Sequence, residues 1–436
     1  MKQLFIFLLI LTNPAVWSQQ DLLQSGPMVG YSEMKEVAVW IQLKGSVELF
    51  MEYHKEGNPS KVYKTKIYKP EKEKAYCVTM IADEVEPGLK YDYRIYINGV
   101  KLDFPYPTQF QTQALWHWRN DPTDFTFTTG SCFYINEERY DRPGRPYGGG
   151  YEILTAIHLS RPDFMIWLGD NYYLREADWF TKTGYHHRAS HTRATKELQP
   201  LLASTHHYAI WDDHDYGPND SDRTWKLKNT AVETFNTFWA NPPFDLNLGG
   251  GITNYFQWSD CDFYLLDNRY HKSPNSQPGT ILGRIQLEWL KSMLLESKAS
   301  FKFICVGGMF LSTSARFENF AKAAPDERDE LIKFIQDNAI SGVIFLTGDR
   351  HFAELSVLQE DGKVSIYDFT SSPLTANPAS AFGRDEVNDN KVQGTAYFDR
   401  NFGEIHITGD RKNRMATLKL KNSNGEVIWS HVVKKG

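Results

Sequence analysis

Five short segments carry residue types that bind metal ions or move protons. "TTGSC" ends in Cys132, and "IWLGDNYYL" holds Asp170 and Tyr173. "IWDDHDYGPND" holds Asp212, Asp213, His214, Asp215 and Asn219. "LLDNRY" holds Asp267 and Arg269, and "FLTGDRH" holds Asp349, Arg350 and His351. Thiolate, phenolate, imidazole, amide and carboxylate are all ligands for metal ions. Singly, each segment is weak, because Gly-Asp is ordinarily a turn and a lone histidine is ordinarily structural. Their shared context is the signal. Each follows a short apolar run, as Asp170 follows Phe164 to Leu168 and the breaker Gly169. In α/β proteins the carboxyl ends of parallel strands are where ligands and metals collect. Acids gathered at one such end repel one another unless cations join them.

The elements that must position these residues are readable. From about residue 123 apolar runs alternate with helix-like stretches. The strands are "DFTFTTG", "DFMIWLG", "HYAIWDD", "DFYLLDN", "FKFICVGG", "GVIFLTGD" and "VSIYDFT". In "GRIQLEWLKSMLLESK" the residues Trp289, Leu290, Met293 and Leu294 share one helical face. "PDERDELIKFIQDN" opens on Pro325-Asp326, a helix start, and stops at Asn338. The alternation predicts an α/β layered domain over 123–436, closed by antiparallel strands in "GEIHITG", "MATLKLKN" and "VIWSHVVK". Residues 19–115 read differently, as short strands at the spacing of an immunoglobulin- or fibronectin-like sandwich. They carry no metal-type cluster, so this N-terminal domain is expected to be dispensable for chemistry but not for solubility, since its removal should bare an apolar face. "WHWRNDP" reads as the linker.

Composition narrows the function classes. The 436 residues allow two or three domains, and 14% aromatic content argues for a buried core and an aromatic-lined cleft. A formal net charge of −6 without a basic run gives no nucleic-acid signature. Lys2, the apolar run Leu4 to Leu11 and a small-residue site after Ser18 predict a signal peptide over 1–18. The protein is therefore expected to be exported, periplasmic or extracellular. The apolar stretch is too short to span a bilayer, and no later segment is long enough. In an exported chain pairing is the default for Cys77, Cys132, Cys261 and Cys305. Four cysteines in a chain this large do not make a disulfide scaffold, and Cys77 and Cys305 sit in core-like runs.

In order and spacing, "GSC", "GDNYY", "WDDHDYGPND", "LDNRY", "LGRIQLEWL" and "LTGDRH" resemble the PhoD-like alkaline phosphatase family, over roughly residues 25 to 400. That family belongs to the calcineurin-like metallophosphoesterases. The resemblance implies a four-layer metallophosphoesterase sandwich flanked by helices, with a β-sandwich N-terminal domain. It implies ferric iron and calcium, with other divalent metals as alternatives. The implied reaction is hydrolysis of phosphate monoesters or diesters by a metal-activated hydroxide. The implied substrate is a phosphate ester, and no protein partner is indicated. Carried over by residue, Asp170 would bridge the metals. Cys132, Tyr173 and His351 would bind the trivalent ion, and Asp349 and Asn219 the second metal.

Three polar residues keep two readings each. His214 is either a proton donor or the orienting partner of a carboxylate. Arg269 either clamps phosphate, to which a guanidinium fork is suited, or pairs with Asp267 or Asp213. Arg350 either narrows the cleft or touches substrate. Gly148-Gly149-Gly150 lacks the following Lys-Ser/Thr of a phosphate cradle and reads as a loop before a helix. If Asn219 is a ligand, the glycosylation sequon Asn219-Asp220-Ser221 is silent. The alternative to an enzyme is a β-rich cell-surface binding protein with a structural calcium site.

Overall fold

The computed structural model describes residues 19–379 and 384–436. The leader expected over 1–18 lies outside them. Two sheets face each other. In the nine-stranded sheet, Phe125–Gly130, Phe164–Leu168 and His206–Ile210 run parallel side by side. Antiparallel Asn401–Thr408, Met415–Asn422 and Val427–Lys434 extend one flank. In the six-stranded sheet, Cys261–Leu265, Phe301–Cys305, Val343–Thr347 and Ile366–Thr370 are parallel, with antiparallel Asn254–Trp258 and Glu354–Leu358 at the edges.

The sequence explains why these strands are central. Both faces of each parallel strand are covered, so the runs are continuously apolar rather than alternating. Every residue of the Phe164–Leu168 and Val343–Thr347 strands is buried. Between the sheets the core is aromatic. Phe127 meets Phe263 and Phe303 edge-on, at 5.3 and 5.1 Å between ring centres, and Phe164 meets Phe263 at 5.3 Å. Burying each such ring contributes about 1.5–3 kcal/mol.

Helices cover the outer faces. Leu287, Leu290 and Leu294 of the Arg284–Glu296 helix pack with Leu331 and Ile335 of Pro325–Asp337 against Ile304 and Phe345. Within Arg284–Glu296, Trp289 and Met293 of the expected face are only partly buried, and Leu287 takes its centre. Glu152–Leu159, Lys182–Arg193 and Lys228–Phe238 bury Ile153, Tyr185 and Phe235 in the core of the other side. The molecule is therefore a mixed α/β layered structure. No helix of the described residues is long and apolar enough to cross a membrane.

Residues 19–115 do form strands, and they have a core of their own around Val39, Met51, Tyr53, Tyr91 and Ile95. The division expected between 115 and 123 is nevertheless not a division of the sheets. Leu23–Ser32, Val37–Leu43 and Cys77–Ala82 continue the nine-stranded sheet past His206–Ile210, through the parallel pair Val29 and His206. His206 Nδ1 meets the Gly30 carbonyl at 2.7 Å, and Tyr93 Oη donates to the Ala203 carbonyl at 2.8 Å. Trp40 and Met28 lie in the main core. Removing these strands would bare a central strand edge and open the main core, the kind of apolar face that their removal is expected to expose. The Leu23–Ser32 strand went unread because Gly26-Pro27 breaks its pattern and the pairing is interrupted by register shifts.

Candidate metal centre

The parallel strands deliver the expected residues to one end. Gly130 pairs with Trp167, and Leu168 with Ile210, so Cys132, Asp170 and Asp212 emerge from adjacent strands in step. Thr347 ends its strand level with Thr370 in the facing sheet, and Asp349 and His351 follow. The chain turns sharply here. Cys132, Asp170, Asp349 and His351 have φ of +59, +52, +69 and +56°, a region that costs non-glycine residues about 1–3 kcal/mol each. Glycine permits the close approach. A Cβ on Gly169, at φ +92°, would stand 2.7 Å from Asp212 Cβ, and one on Gly348 would stand 2.4 Å from Ser131 Oγ.

The result is a chain of three overlapping triplets. Cys132, Asp170 and His351 form the first, Asp170, Asp213 and His214 the second, and Asp212, Asp213 and Asp349 the third. Within each triplet one ligand atom per residue lies within 4.8 Å of the others. Asp170 belongs to two triplets, as the bridging expectation requires. Asp213 also belongs to two, and that was not anticipated. Cys132 Sγ lies 3.6 Å from Asp170 Oδ2, and Ser372 Oγ donates to it at 3.2 Å. All four cysteines are free, so the disulfide default does not hold.

The electrostatics are those of a site built for cations. Burial, with the charges of Cys132, Asp213, Asp212 and Asp215 around it, holds the Asp170 carboxyl far above the usual carboxylate range. Burial and Asp212 do the same to Asp349. Burial pushes the Cys132 thiol up to about 12, and Asp212 to about 6. Asp213 goes the other way, to about 2: burial is outweighed by His214, Arg269 and the Asp220 backbone N–H at 2.6 Å. Asp212 Oδ2 is buried and accepts no hydrogen bond. An orphaned carboxylate oxygen among acids, thiol and imidazole fits metal ions and fits no other ligand as well.

The remaining expected residues divide. Tyr173 Oη lies 3.3 Å from His351 Nε2, and its ring is 4.2 Å from that of His214. The structure thus brings Tyr173 to the same ends as Cys132 and His351. His214 faces both the cluster and a cleft, and burial lowers its imidazole pKa. Its backbone N–H donates to Asp170 Oδ1 at 3.3 Å. Asn219 is exposed at the cleft wall and lies on the same rim as His214.

Arg269 is buried, and its charge is spent inside the protein. Nε donates to Asp212 Oδ1 at 2.5 Å and Nη1 meets Glu318 at 2.7 Å. Asp213 is 3.9 Å away, while Asp267 accepts from the Arg269 backbone N–H at 2.8 Å. The pairing reading is the one the geometry favours, and Asp212 and Glu318 are its partners. Arg350 is likewise buried and paired with Glu386, with its guanidinium 4.3 Å from the Phe317 ring centre. Both guanidinium groups are held by carboxylates here, Arg269 by Asp212 and Glu318 and Arg350 by Glu386, while Arg350 Nε has no hydrogen-bond partner.

Two residues were missed. Asp213 was visible in the acid run, but nothing in the spacing singles it out from Asp212 or Asp215. Tyr147 stands over the site with Oη 3.3 Å from His351 Nδ1 and its ring against Tyr134 and Tyr173. It sits in a Pro- and Gly-rich stretch whose sequence reads only as loop. The three glycines after it precede the Glu152–Leu159 helix, as read.

The model of the PhoD-like phosphatase family matches residues 127–418. Among solved structures, one entitled "Structure of PhoD" superposes with a TM-score of 0.75 at 17% identity, covering 95% of this chain and 89% of that one. A purple acid phosphatase from yellow lupin (Lupinus luteus) seeds superposes at 0.67 and 13% identity, covering 94% and 74%. No curated protein matches the chain.

Proposed function

The chain belongs to the PhoD-like phosphatase family of phosphoric ester hydrolases, and from that premise we propose a metal-dependent phosphoesterase centred on the strand-end cluster. The observation that carries the reading is the run of three triplets sharing Asp170 and Asp213. Cys132, Tyr173 and His351 are the softer and more basic donors and would hold a ferric ion with Asp170. Asp349, Asp213, Asp212 and Asn219 offer only oxygen and would hold calcium or another divalent ion. Bound ions would polarise the phosphoryl oxygens and acidify water.

The side chains around them have their own work. Arg269 and Glu318 fix the Asp212 carboxylate so that Oδ2 points away from Oδ1's partners. Burial lowers the His214 imidazole pKa, and its ring, which lines the cleft, would offer a hydrogen bond to the departing group. His351 Nδ1 lies 2.6 Å from the Asn377 carbonyl. A carbonyl only accepts, so Nδ1 carries the hydrogen and Nε2 is left with its lone pair toward Tyr173 and the cluster. We read the N-terminal strands as an immunoglobulin- or fibronectin-like sandwich whose strands Leu23–Ser32, Val37–Leu43 and Cys77–Ala82 also extend the nine-stranded sheet, and the leader over 1–18 as an export signal.

Elemental analysis of the purified protein, combined with turnover of 4-nitrophenyl phosphate and its bis ester, tests the proposal. Iron with calcium and hydrolysis of one or both esters is the expected result. Full activity in protein stripped of metals would overturn it. Calcium alone without turnover would favour the structural-site alternative.

A further inference from the structure

His214, a member of one triplet, and Tyr173 line a cleft of about 1080 Å³, just above the upper end of small-molecule sites. One wall is a loop of residues 137–147 with a closed neck. Asn136 Nδ2 donates to the Gly148 carbonyl at 2.7 Å, and Gly148 N–H donates to Asn136 Oδ1 at 2.9 Å. Glu137 is pinned from outside by Arg188 Nη1 at 2.7 Å, and Pro143 and Pro146 stiffen the span. The loop reads "EERYDRPGRPY", with an arginine at every third position: Arg139, Arg142 and Arg145.

The charges facing this wall do not cancel. Asp141 is bonded to Arg175 and Tyr134, both at 2.8 Å. Glu176 meets Arg142 at 3.4 Å. Glu138 is the remaining carboxylate of the lining. Among the described residues no carboxylate pairs with Arg139 or Arg145. Arg139 lies 5.3 Å over the Tyr140 ring. A protein of net charge −6 therefore places two uncommitted guanidinium groups on a pre-formed loop at the mouth of its metal centre. A phosphate held at the cluster would not use them, since the cluster ligands and His214 are other residues.

We propose that the 137–147 loop is a subsite for a second anion, so that the preferred substrate is a phosphate ester whose alcohol part bears another phosphate or carboxylate. The inference rests on the phosphoesterase reading of the strand-end cluster. Guanidinium forks suit both anions, and the loop lies on the side of the cleft that His214 shares, where the leaving alcohol would depart.

The test uses the metal-loaded full chain with hexyl phosphate and hexane-1,6-bisphosphate, a pair differing only in the second anion. Phosphate release gives kcat/KM for each. The expected preference for the bisphosphate is about tenfold, beyond the twofold that two equivalent phosphates supply. Arg139→Gln with Arg145→Gln should abolish the preference, and the paired lysine variant should keep part of it. Both positions are exposed, so the fold is not at risk. A preference below threefold in the parent, or one that survives the double glutamine variant, overturns the subsite. A metal-loaded protein that hydrolyses neither ester overturns the phosphoesterase reading beneath it.

Discussion

The two ends of the same pair of sheets treat buried acids in opposite ways. At the end where strands begin, Arg414 is fully buried and reaches across both sheets. It bonds Asp260 Oδ1 at 3.0 Å and Asp124 Oδ1 at 2.6 Å, just ahead of the Cys261–Leu265 and Phe125–Gly130 strands. There the chain supplies its own cation. At the end where strands finish, Asp170, Asp212, Asp213 and Asp349 converge with Cys132, and one guanidinium, Arg269, serves only part of them. A buried charge without a partner is costly, so without a cation the finishing end holds Asp170, Asp349 and Asp212 with raised pKa values. At the beginning end Asp124 is largely exposed and the one buried acid, Asp260, is paired with Arg414 through Oδ1, although its Oδ2 has no hydrogen-bond partner.

The largest expected effect breaks the finishing end. Asp170→Asn and Asp213→Asn each remove a carboxylate shared by two triplets while keeping its shape. Each should lower kcat for 4-nitrophenyl phosphate by at least about a hundredfold and release metal. Metal-stripped Asp170→Asn should melt no lower than the metal-stripped parent, because a neutral amide replaces a carboxyl that burial disfavours in its charged form. If either variant keeps its metal and its rate, that residue is not a shared ligand.

The contrasting substitution is Arg414→Met, at the beginning end. It leaves Asp260 buried without its cation and should cost about 3 kcal/mol in denaturant unfolding. Metal content per folded molecule should be unchanged. Loss of metal in the folded variant would mean that the two ends are coupled and the contrast is false.

Most of the finishing end was legible in the sequence, and the reasons are physical. A parallel strand buried on both faces is a continuous apolar run, and its end is marked by Gly-Asp or Ser-Cys. Asp170, Cys132, Asp349 and His351 were found that way. Asp213 was not, because Asp212, Asp213 and Asp215 are adjacent acids with three different duties. Asp215 closes a capping box with Asp212, and only the fold shows which carboxylate is left facing the cluster. The arginines show what sequence leaves open. Arg269 and Arg350 keep two readings each, because the carboxylates they meet, Glu318 and Glu386, are far along the chain. The seam between the N-terminal strands and the rest was hidden by Gly26-Pro27, and Tyr147 by its loop.

A smaller effect sharpens the comparison through pH. Burial raises Asp170 and Asp349, and Asp212 to about 6, above the ordinary value near 4. The metal-free fold therefore binds more protons than the unfolded chain across this range. For these three carboxyls the cost of ionisation is absent below about pH 4 and grows as pH rises through about 6, whereas Asp213, held at about 2, contributes with the opposite sign below pH 4. Metal binding must displace those protons, so metal affinity should rise over the same interval. Melting of stripped protein and metal titrations at pH 4, 5, 6 and 7 should have slopes of opposite sign. Parallel slopes would show that the raised carboxyls are not the ones that meet the metal.

The smallest effect separates two tyrosines on one histidine. Tyr147 Oη and Tyr173 Oη both lie 3.3 Å from His351, the first at Nδ1 and the second at Nε2. The Asn377 carbonyl, 2.6 Å from Nδ1, already takes the hydrogen there, so Tyr147 adds at most a weak second contact. Tyr173 is on the lone-pair side that faces the cluster. Tyr147→Phe should therefore cost no more than about threefold in kcat, the scale of one weak neutral hydrogen bond. Tyr173→Phe should cost far more and change the metal content. If Tyr147→Phe lost tenfold or more with its metal intact, the hydrogen on His351 would have to be reassigned. Nε2 rather than Nδ1 would then carry it, and His351 could not serve as a ligand in the orientation it holds.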